Sequence, residues 1–184
     1  AGGVQYVACA GNFKDAGLEY TGALKVLQMI FSYEYLWIQI RVKGGAYGCM
    51  CSFSDQGDSM FVTYRDPNLS ESYKVYDEAA DYVADFDADD RDMKKYIIGT
   101  IGSMDMPMEA VDMGARSFHA YFLGKTEADL QKVRDQVLSC TQEDIRALAP
   151  IVKAVVEAGN RCCIGNEEKI DQNKEYFDEV KHVL

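Results

Sequence analysis

Histidine is almost missing from this sequence: His119 and His182 are the two it has in 184 residues. A catalytic metal site normally takes three protein ligands, with paired histidines on one helix face. Neither histidine sits in H-E-x-x-H or in the inverted H-x-x-E-H. The sequence therefore predicts no metal within this chain, and it leaves a nucleophilic triad little choice of base. No G-x-S-x-G elbow presents a serine, and Cys140 stands alone. C-x-x-C is absent as well. The six cysteines fall as Cys9, the alternating Cys49 and Cys51, Cys140, and the adjacent Cys162 and Cys163. That spacing suits neither a zinc ribbon nor a disulfide framework. Buried free thiols in a reducing, cytoplasmic compartment are expected instead.

Basic residues are outnumbered, nineteen against thirty acidic ones, for a net charge of −11. Nucleic acid is thereby excluded as a partner, since phosphate backbones are met by clustered Lys and Arg. A membrane is excluded on similar grounds. No apolar run reaches the roughly 20 uncharged residues of a spanning helix, because Lys25, Glu34 and Arg41 interrupt the best candidate. The sequence opens with Ala1, Gly2 and Gly3 and passes directly into a strand-like run, with no targeting segment. It is read as a piece of something longer.

What the chain does have is a hydrophobic content of 48%, enough for one well-filled core, so a single domain over 1–184 is expected. Residues 4–10 mix β-branched and aromatic side chains and predict a strand. From about Thr21 a helix follows, with Leu24, Leu27, Phe31, Leu36 and Ile40 at helical spacing. Val26, Ile30, Trp37 and Ile38 fill its other faces, which predicts burial on most sides and a bend or break at Ser32. Gly44 and Gly45 end it. Tyr47, Cys49, Cys51 and Phe53 alternate, D-Q-G-D at 55–58 turns, and 60–65 alternates again, which predicts an antiparallel hairpin. Pro67 is expected in the first turn of a helix capped by Asp66 or Asn68, carrying Leu69, Tyr73, Tyr76, Ala80 and Val83 on one stripe. Further helices are expected around Met93, Ile97 and Ile101, around Met113, Ala120 and Leu123 with closure at Gly124, and from Thr126. Another starts at Thr141 with a kink at Pro150 and closure at Gly159. A short strand at 161–164 and a last helix over 167–183 complete an α+β domain with a largely antiparallel sheet covered by helices.

Several motifs have plain structural explanations. Asp85, Asp87, Asp89, Asp90 and Asp92 resemble a calcium loop, but the glycine position holds Asp90 and the final glutamate position holds Tyr96. Helix capping accounts for them. Gly99 and Gly102, in G-T-I-G, lack the strand-to-helix setting of a phosphate loop and predict close helix packing. The remaining candidate is R-V-K-G-G-A-Y-G at 41–48, echoed by Y-R-D-P-N-L at 64–69. Arg41 is a planar multi-donor group, Gly44 and Gly45 let another backbone approach, and the Tyr47 hydroxyl can donate to developing negative charge. These are parts of a site that grips an extended peptide. Spacing alone favours the plainer explanation, a helix end, a turn and a strand start.

These residues resemble the C-terminal domain of the presequence proteases, in the pitrilysin and insulin-degrading-enzyme (insulinase-like) superfamily of inverted-motif zinc peptidases. The likeness runs through L-W-I-Q-I-R-V-K-G-G-A-Y-G at 36–48, F-V-T-Y-R-D-P-N-L at 61–69 and V-Y-D at 75–77. It continues through K-K-Y-I-I-G-T-I-G at 94–102, Y-F-L-G-K-T at 121–126 and Q-K-V-R-D-Q-V-L at 131–138. The resemblance implies a LuxS/mitochondrial-processing-peptidase-like metallohydrolase domain, the last of four in a metalloprotease whose halves close around a chamber admitting unfolded peptides. It implies zinc in the first domain of the parent protein and none in this chain, with the other domains and the peptide substrate as partners. Arg41 would bind substrate backbone carbonyls, Tyr47 would donate to the tetrahedral oxyanion, and this fragment alone would be inactive. The alternative is a non-catalytic peptide-binding or scaffolding domain of the same superfamily. An H-x-x-E-H motif upstream in the parent would separate the two.

Overall fold

A computed structural model describes residues 3–182. Four strands, β1 (Tyr6–Asn12), β2 (Gly48–Phe53), β3 (Asp58–Tyr64) and β4 (Asn160–Ile164), form one fully antiparallel sheet in the order β2-β3-β1-β4. The predicted hairpin is β2–β3. Ser54 and Asp58 close it, with the Ser54 N–H donating to the Asp58 carbonyl at 2.9 Å, and its pairing runs from Phe53↔Ser59 to Gly48↔Tyr64. β1 pairs Ala8↔Val62 on one side and Ala8↔Cys162 on the other, so the first and last strands are neighbours.

Strand alternation divides the sheet's two faces. Val7, Cys9, Cys51, Phe53 and Phe61 turn inward and are buried. They pack against α1 (Ala23–Ile30) and its continuation, and against α2 (Ser70–Asp77), α3 (Ala79–Ala84) and α8 (Ala149–Glu157). Tyr73 and Tyr76 of α2 are buried, yet their hydroxyls reach backbone carbonyls, Cys162 at 3.0 Å and Val7 at 3.2 Å, so burial leaves neither polar tip stranded. On the other face Tyr6, Met50, Met60, Tyr64 and Ile164 are exposed. Among the described residues, helices thus cover one side of the sheet.

The apolar helix from Ala23 does not break at Ser32. It widens. Phe31–Tyr35 and Trp37–Lys43 are π-helical, and the Ser32 hydroxyl donates back to the Gln28 carbonyl at 2.7 Å. The buried positions give the physical reason. Ile30, Tyr35 and Ile40 recur every five residues, as do Phe31 and Leu36, and five-residue recurrence keeps one face on the core only if the turn is wider than α. Burial on most sides is also corrected: Tyr33, Trp37, Ile38 and Val42 are exposed.

Further along, α4 (Asp90–Met104), α5 (Ala110–Phe122), α6 (Glu127–Leu138) and α7 (Gln142–Arg146) follow. Capping boxes form at both expected helix starts, Thr126 with Asp129 and Thr141 with Asp144. Asp89 caps α4, accepting from the Asp92 N–H at 2.9 Å. Gly99 packs against Met29 as expected of close helix contact, whereas Gly102 faces open space. Pro150 does not kink one long helix. It lies in the first turn of α8, after α7 has ended at Arg146, where its missing N–H costs nothing. The helix expected at Pro67 starts later, at Ser70, as two short helices, because Asp66 and Asn68 are engaged in the turn described below. The final helix is short, α9 (Glu167–Asp171), followed by a 3-10 turn at Lys174–Tyr176; the end of the expected 167–183 helix lies outside the described residues. No described helix is long and apolar enough to cross a membrane.

Candidate functional site

The 41–48 stretch lies where the widened helix hands the chain to edge strand β2. Arg41 belongs to the last π-helical turn. Its guanidinium stacks between two aromatic faces, 4.7 Å from the Trp37 ring centre and 5.4 Å from that of Tyr47. Cation–π contact uses the flat faces of the guanidinium and leaves its in-plane donors pointing outward. Tyr47 is 64% exposed. The two residues that the sequence singled out are therefore side by side.

The turn between them is built for its glycines. A Cβ on Gly44 would lie 2.6 Å from the Ile40 carbonyl oxygen, so only glycine lets the helix end this tightly. Gly45 has φ 78°, the left-handed conformation that closes helices. Backbone N–H groups of Gly44, Gly45 and Ala46 donate to the carbonyls of Gln39, Arg41 and Ile40 at 3.0, 3.0 and 3.1 Å. The glycines are thus explained by the turn itself, while Gly45 remains exposed at the opening.

The echo motif at 64–69 is the buttress of that turn. Asn68 Nδ2 donates to the Gly44 carbonyl at 2.6 Å, and the Tyr47 N–H donates to the Arg65 carbonyl at 3.3 Å. Asp66 is fully buried and organises the loop. Its carboxylate accepts from the Asn68 N–H at 2.9 Å and the Ser72 hydroxyl at 2.6 Å, while its backbone exchanges two hydrogen bonds with Gln5. Burial pushes the Asp66 carboxyl above its ordinary range, and the Ser72 and Asn68 hydrogen bonds pull it part of the way back.

Together Arg41, Val42, Gly45, Ala46, Tyr47 and Arg65 line an open depression of about 540 Å³. Arg65 was not among the residues the sequence marked as a site. A deeper cavity of about 510 Å³ opens between α1 and α4, lined by Met29, Tyr33, Thr100 and Met104, with Trp37 as one of its walls.

The other candidates do not assemble into chemistry. His119 is exposed on α5, and His182 meets Glu167 at 3.3 Å on the surface. Among the described residues no three His, Cys, Asp or Glu come together in a way that could hold a metal ion. All six cysteines are free; Cys9, Cys51 and Cys140 are buried, and Cys162 is exposed. Burial pushes the Cys9 thiol up to about 11 and the Cys140 thiol up to about 12, the opposite of an activated nucleophile. Cys49 also rises to about 11 through burial, although nearby Arg41 opposes the shift.

Comparison with known proteins decides the family. The family model described as the PreP C-terminal domain matches residues 2–166. The chain belongs to the PreP C-terminal domain family. Among curated relatives, Protein HypA of Clostridium perfringens is 43% identical over 183 residues, covering 100% of this chain and 19% of that protein. Presequence protease 1, chloroplastic/mitochondrial, of Arabidopsis thaliana is 34% identical over 185 residues, covering 98% of this chain and 17% of that protein. The chain thus spans about a fifth of the length of these relatives. Among solved structures, one from Bordetella pertussis Tohama I, named a "putative zinc protease", aligns with a TM-score of 0.64 at 15% identity, covering 88% of this chain and 93% of that one. A protease from Helicobacter pylori aligns with a TM-score of 0.62 at 16% identity, covering 80% and 38%. At these identities the structures establish the α+β fold.

One further surface stands out in this PreP C-terminal domain. Helix α5 buries none of its side chains; Val111, Phe118, Tyr121 and Phe122 are all exposed, and the Phe118 and Phe122 rings lie 6.0 Å apart. The sequence predicted the helix and its closure at Gly124, but not that it would lie uncovered.

Proposed function

We propose that this chain is the substrate-gripping C-terminal domain of a zinc-dependent metalloendopeptidase that degrades unfolded peptides in a closed chamber. The observation that carries the reading is the pairing of Arg41 with Tyr47 at one opening, the guanidinium 5.4 Å from the ring centre, both held by a turn whose every backbone contact is specified. Membership in the PreP C-terminal domain family, and a relative named as a presequence protease, support it. Arg41 offers several donors in one plane to peptide carbonyls, a recognition that addresses backbone and so tolerates varied side chains. Tyr47 donates through its hydroxyl to the oxygen that gains negative charge when a peptide carbonyl is attacked. Gly45 leaves room for the peptide backbone beside them.

The described residues hold no donor set for zinc. The metal of such an enzyme belongs to residues outside this chain. The remaining parts of the parent protein would also cover α5. A helix with five large apolar side chains in water, Val111, Met113, Phe118, Tyr121 and Phe122, gains about 25 cal/mol for each Å² it buries, so this face fits contact with a neighbouring domain.

Tyr47→Phe in the full-length protein tests the reading. Losing one oxyanion donor lowers kcat by about 10²-fold. KM for a peptide substrate stays within a few-fold of the wild-type value, because ground-state contacts are retained. Unchanged kcat would return Tyr47 to a structural role.

A further inference from the structure

The unassigned feature of the opening is Arg65. It is the one non-glycine residue with positive φ among the described residues, at 49°. Left-handed backbone is costly for an arginine and persists where the surroundings hold it. Three neighbours do so here. The Arg65 carbonyl accepts from the Tyr47 N–H, the next residue Asp66 is fixed to Gln5 through both backbone groups, and Asp66 itself is buried. The strain aims the side chain outward, where its guanidinium lies 5.6 Å from the Tyr64 ring centre. Tyr64 in turn meets Tyr47 edge to face at 5.6 Å. Arg41, Tyr47, Tyr64 and Arg65 therefore form a continuous run, cation, ring, ring, cation, in which Arg41, Tyr47 and Arg65 line one depression.

Charge makes the run unusual. In a chain carrying −11, every other lining residue of the depression is uncharged, and neither arginine forms a salt bridge among the described residues. Arg134, Arg146 and Arg161 have carboxylate partners. Arg91 and Arg116 also form no salt bridge among the described residues, but neither stacks on an aromatic ring there, so Arg41 and Arg65 are the stacked arginines without a carboxylate. Two guanidiniums stacked on rings at one depression, with outward donors and no carboxylate of their own, offer charge-assisted donors to a carboxylate that enters it.

We propose that Arg65 is a further substrate-binding residue, which with Arg41 recognises a carboxylate of the bound peptide, either an acidic side chain or the free C-terminus. The inference rests on the peptide-gripping reading of Arg41 and Tyr47 and adds a selectivity that backbone recognition lacks. Strain at Arg65 then serves to hold a second cation at the depression that Arg41 lines.

The test uses the full-length protein and matched peptides: one carrying a glutamate and its glutamine counterpart, and one with a free C-terminus and its C-terminal amide. Wild type favours the carboxylate-bearing member of at least one pair by about 10- to 100-fold in kcat/KM, the scale of a charge-assisted hydrogen bond. Arg65→Asn removes the charge while keeping a residue that tolerates left-handed backbone, so the fold is preserved. It abolishes the preference through KM and leaves cleavage of the neutral peptides unchanged; Arg65→Lys restores part of it. Loss with the glutamate pair identifies a side-chain carboxylate, and loss with the amide pair identifies the C-terminus. If Arg65→Asn affects charged and neutral peptides equally, or affects neither, the proposal fails. Should Tyr47→Phe and Arg41→Gln also cleave neutral peptides normally, the peptide-gripping reading fails with it. If those two are impaired while Arg65→Asn is not, the carboxylate proposal alone falls.

Discussion

Replacing Asn68 by alanine isolates the contribution of the loop that buttresses the site. Asn68 touches neither the depression nor either arginine; its Nδ2 donates to the Gly44 carbonyl at 2.6 Å. A typical intramolecular hydrogen bond contributes about 0.5–1.5 kcal/mol net, and a stranded carbonyl adds to the loss in proportion to its burial. Gly44 is half-buried, so water can reach it in part, and the expected total is about 1–2 kcal/mol. That is a factor of roughly 5 to 30 in the opening equilibrium of the turn. The direct assay is hydrogen exchange on the full-length protein. Protection of the Gly45, Ala46 and Tyr47 amides, which donate to Arg41, Ile40 and Arg65, falls by that factor, while the amides of β1 keep theirs. Turnover follows the geometry. A misplacement near an ångström costs about 10²-fold, so a looser turn lowers kcat by about tenfold. Asn68→Asp is worse, since an acceptor then faces a carbonyl. Raised exchange with normal turnover would show that the turn does not set the geometry of Arg41 and Tyr47. Unchanged exchange would show that the hydrogen bond does not hold the turn.

Two further perturbations probe the scaffold. Gly11→Ala places a Cβ 2.5 Å from the Val155 carbonyl oxygen and 2.8 Å from Ala158 Cβ, forcing α8 off β1. Overpacking of this kind costs about 1–3 kcal/mol, and limited proteolysis should cut the β1 and α8 segments faster; wild-type resistance would mean the helix shifts at no cost. Asp66 governs a pH dependence. Its folded-state pKa is raised by burial, so the folded chain holds the proton more tightly than the unfolded one. The stabilisation is complete below the unfolded value of about 3.9 and is lost as pH rises through the folded value. Asp66→Asn should therefore flatten the fall in local stability from acid toward neutral pH. Exchange at Thr63 and Asp66, corrected for intrinsic rates, measures it, and an unaltered slope would exclude Asp66 as the cause.

Local chemistry was legible wherever it was decided locally. Thr126 with Asp129, Thr141 with Asp144, and the left-handed Gly45, Gly124 and Gly159 all sit where side-chain capping and glycine φ require them. What escaped prediction was decided by neighbours. The helix carrying Arg41 reads as apolar on all sides, and a core-packed helix and an uncovered one share that pattern. Ile38 and Val42 are exposed, and Trp37 is covered only in part, by the Arg41 guanidinium stacked on its ring. α5 repeats the case. Its periodicity announces a face, and periodicity does not name what covers it. The π-helical turns were missed for a different reason, since recurrence at five was read against a template of 3.6.

Arg65 was overlooked although the information was present. A hairpin's register is set at its turn. Ser54 and Asp58 close the loop, Phe53 pairs with Ser59, and the pairing steps outward to Gly48 against Tyr64. One step beyond, Tyr47 must face Arg65, and the Tyr47 N–H does donate to the Arg65 carbonyl at 3.3 Å. Along the chain Arg41 and Tyr47, six apart, fall in one motif and 64–69 in another. Reading across the hairpin joins the two motifs into one opening with two arginines. The repeated R and Y of the two stretches then follow from pairing: each strand delivers an aromatic residue at its end, and each adjoining loop or helix delivers the arginine that stacks on it.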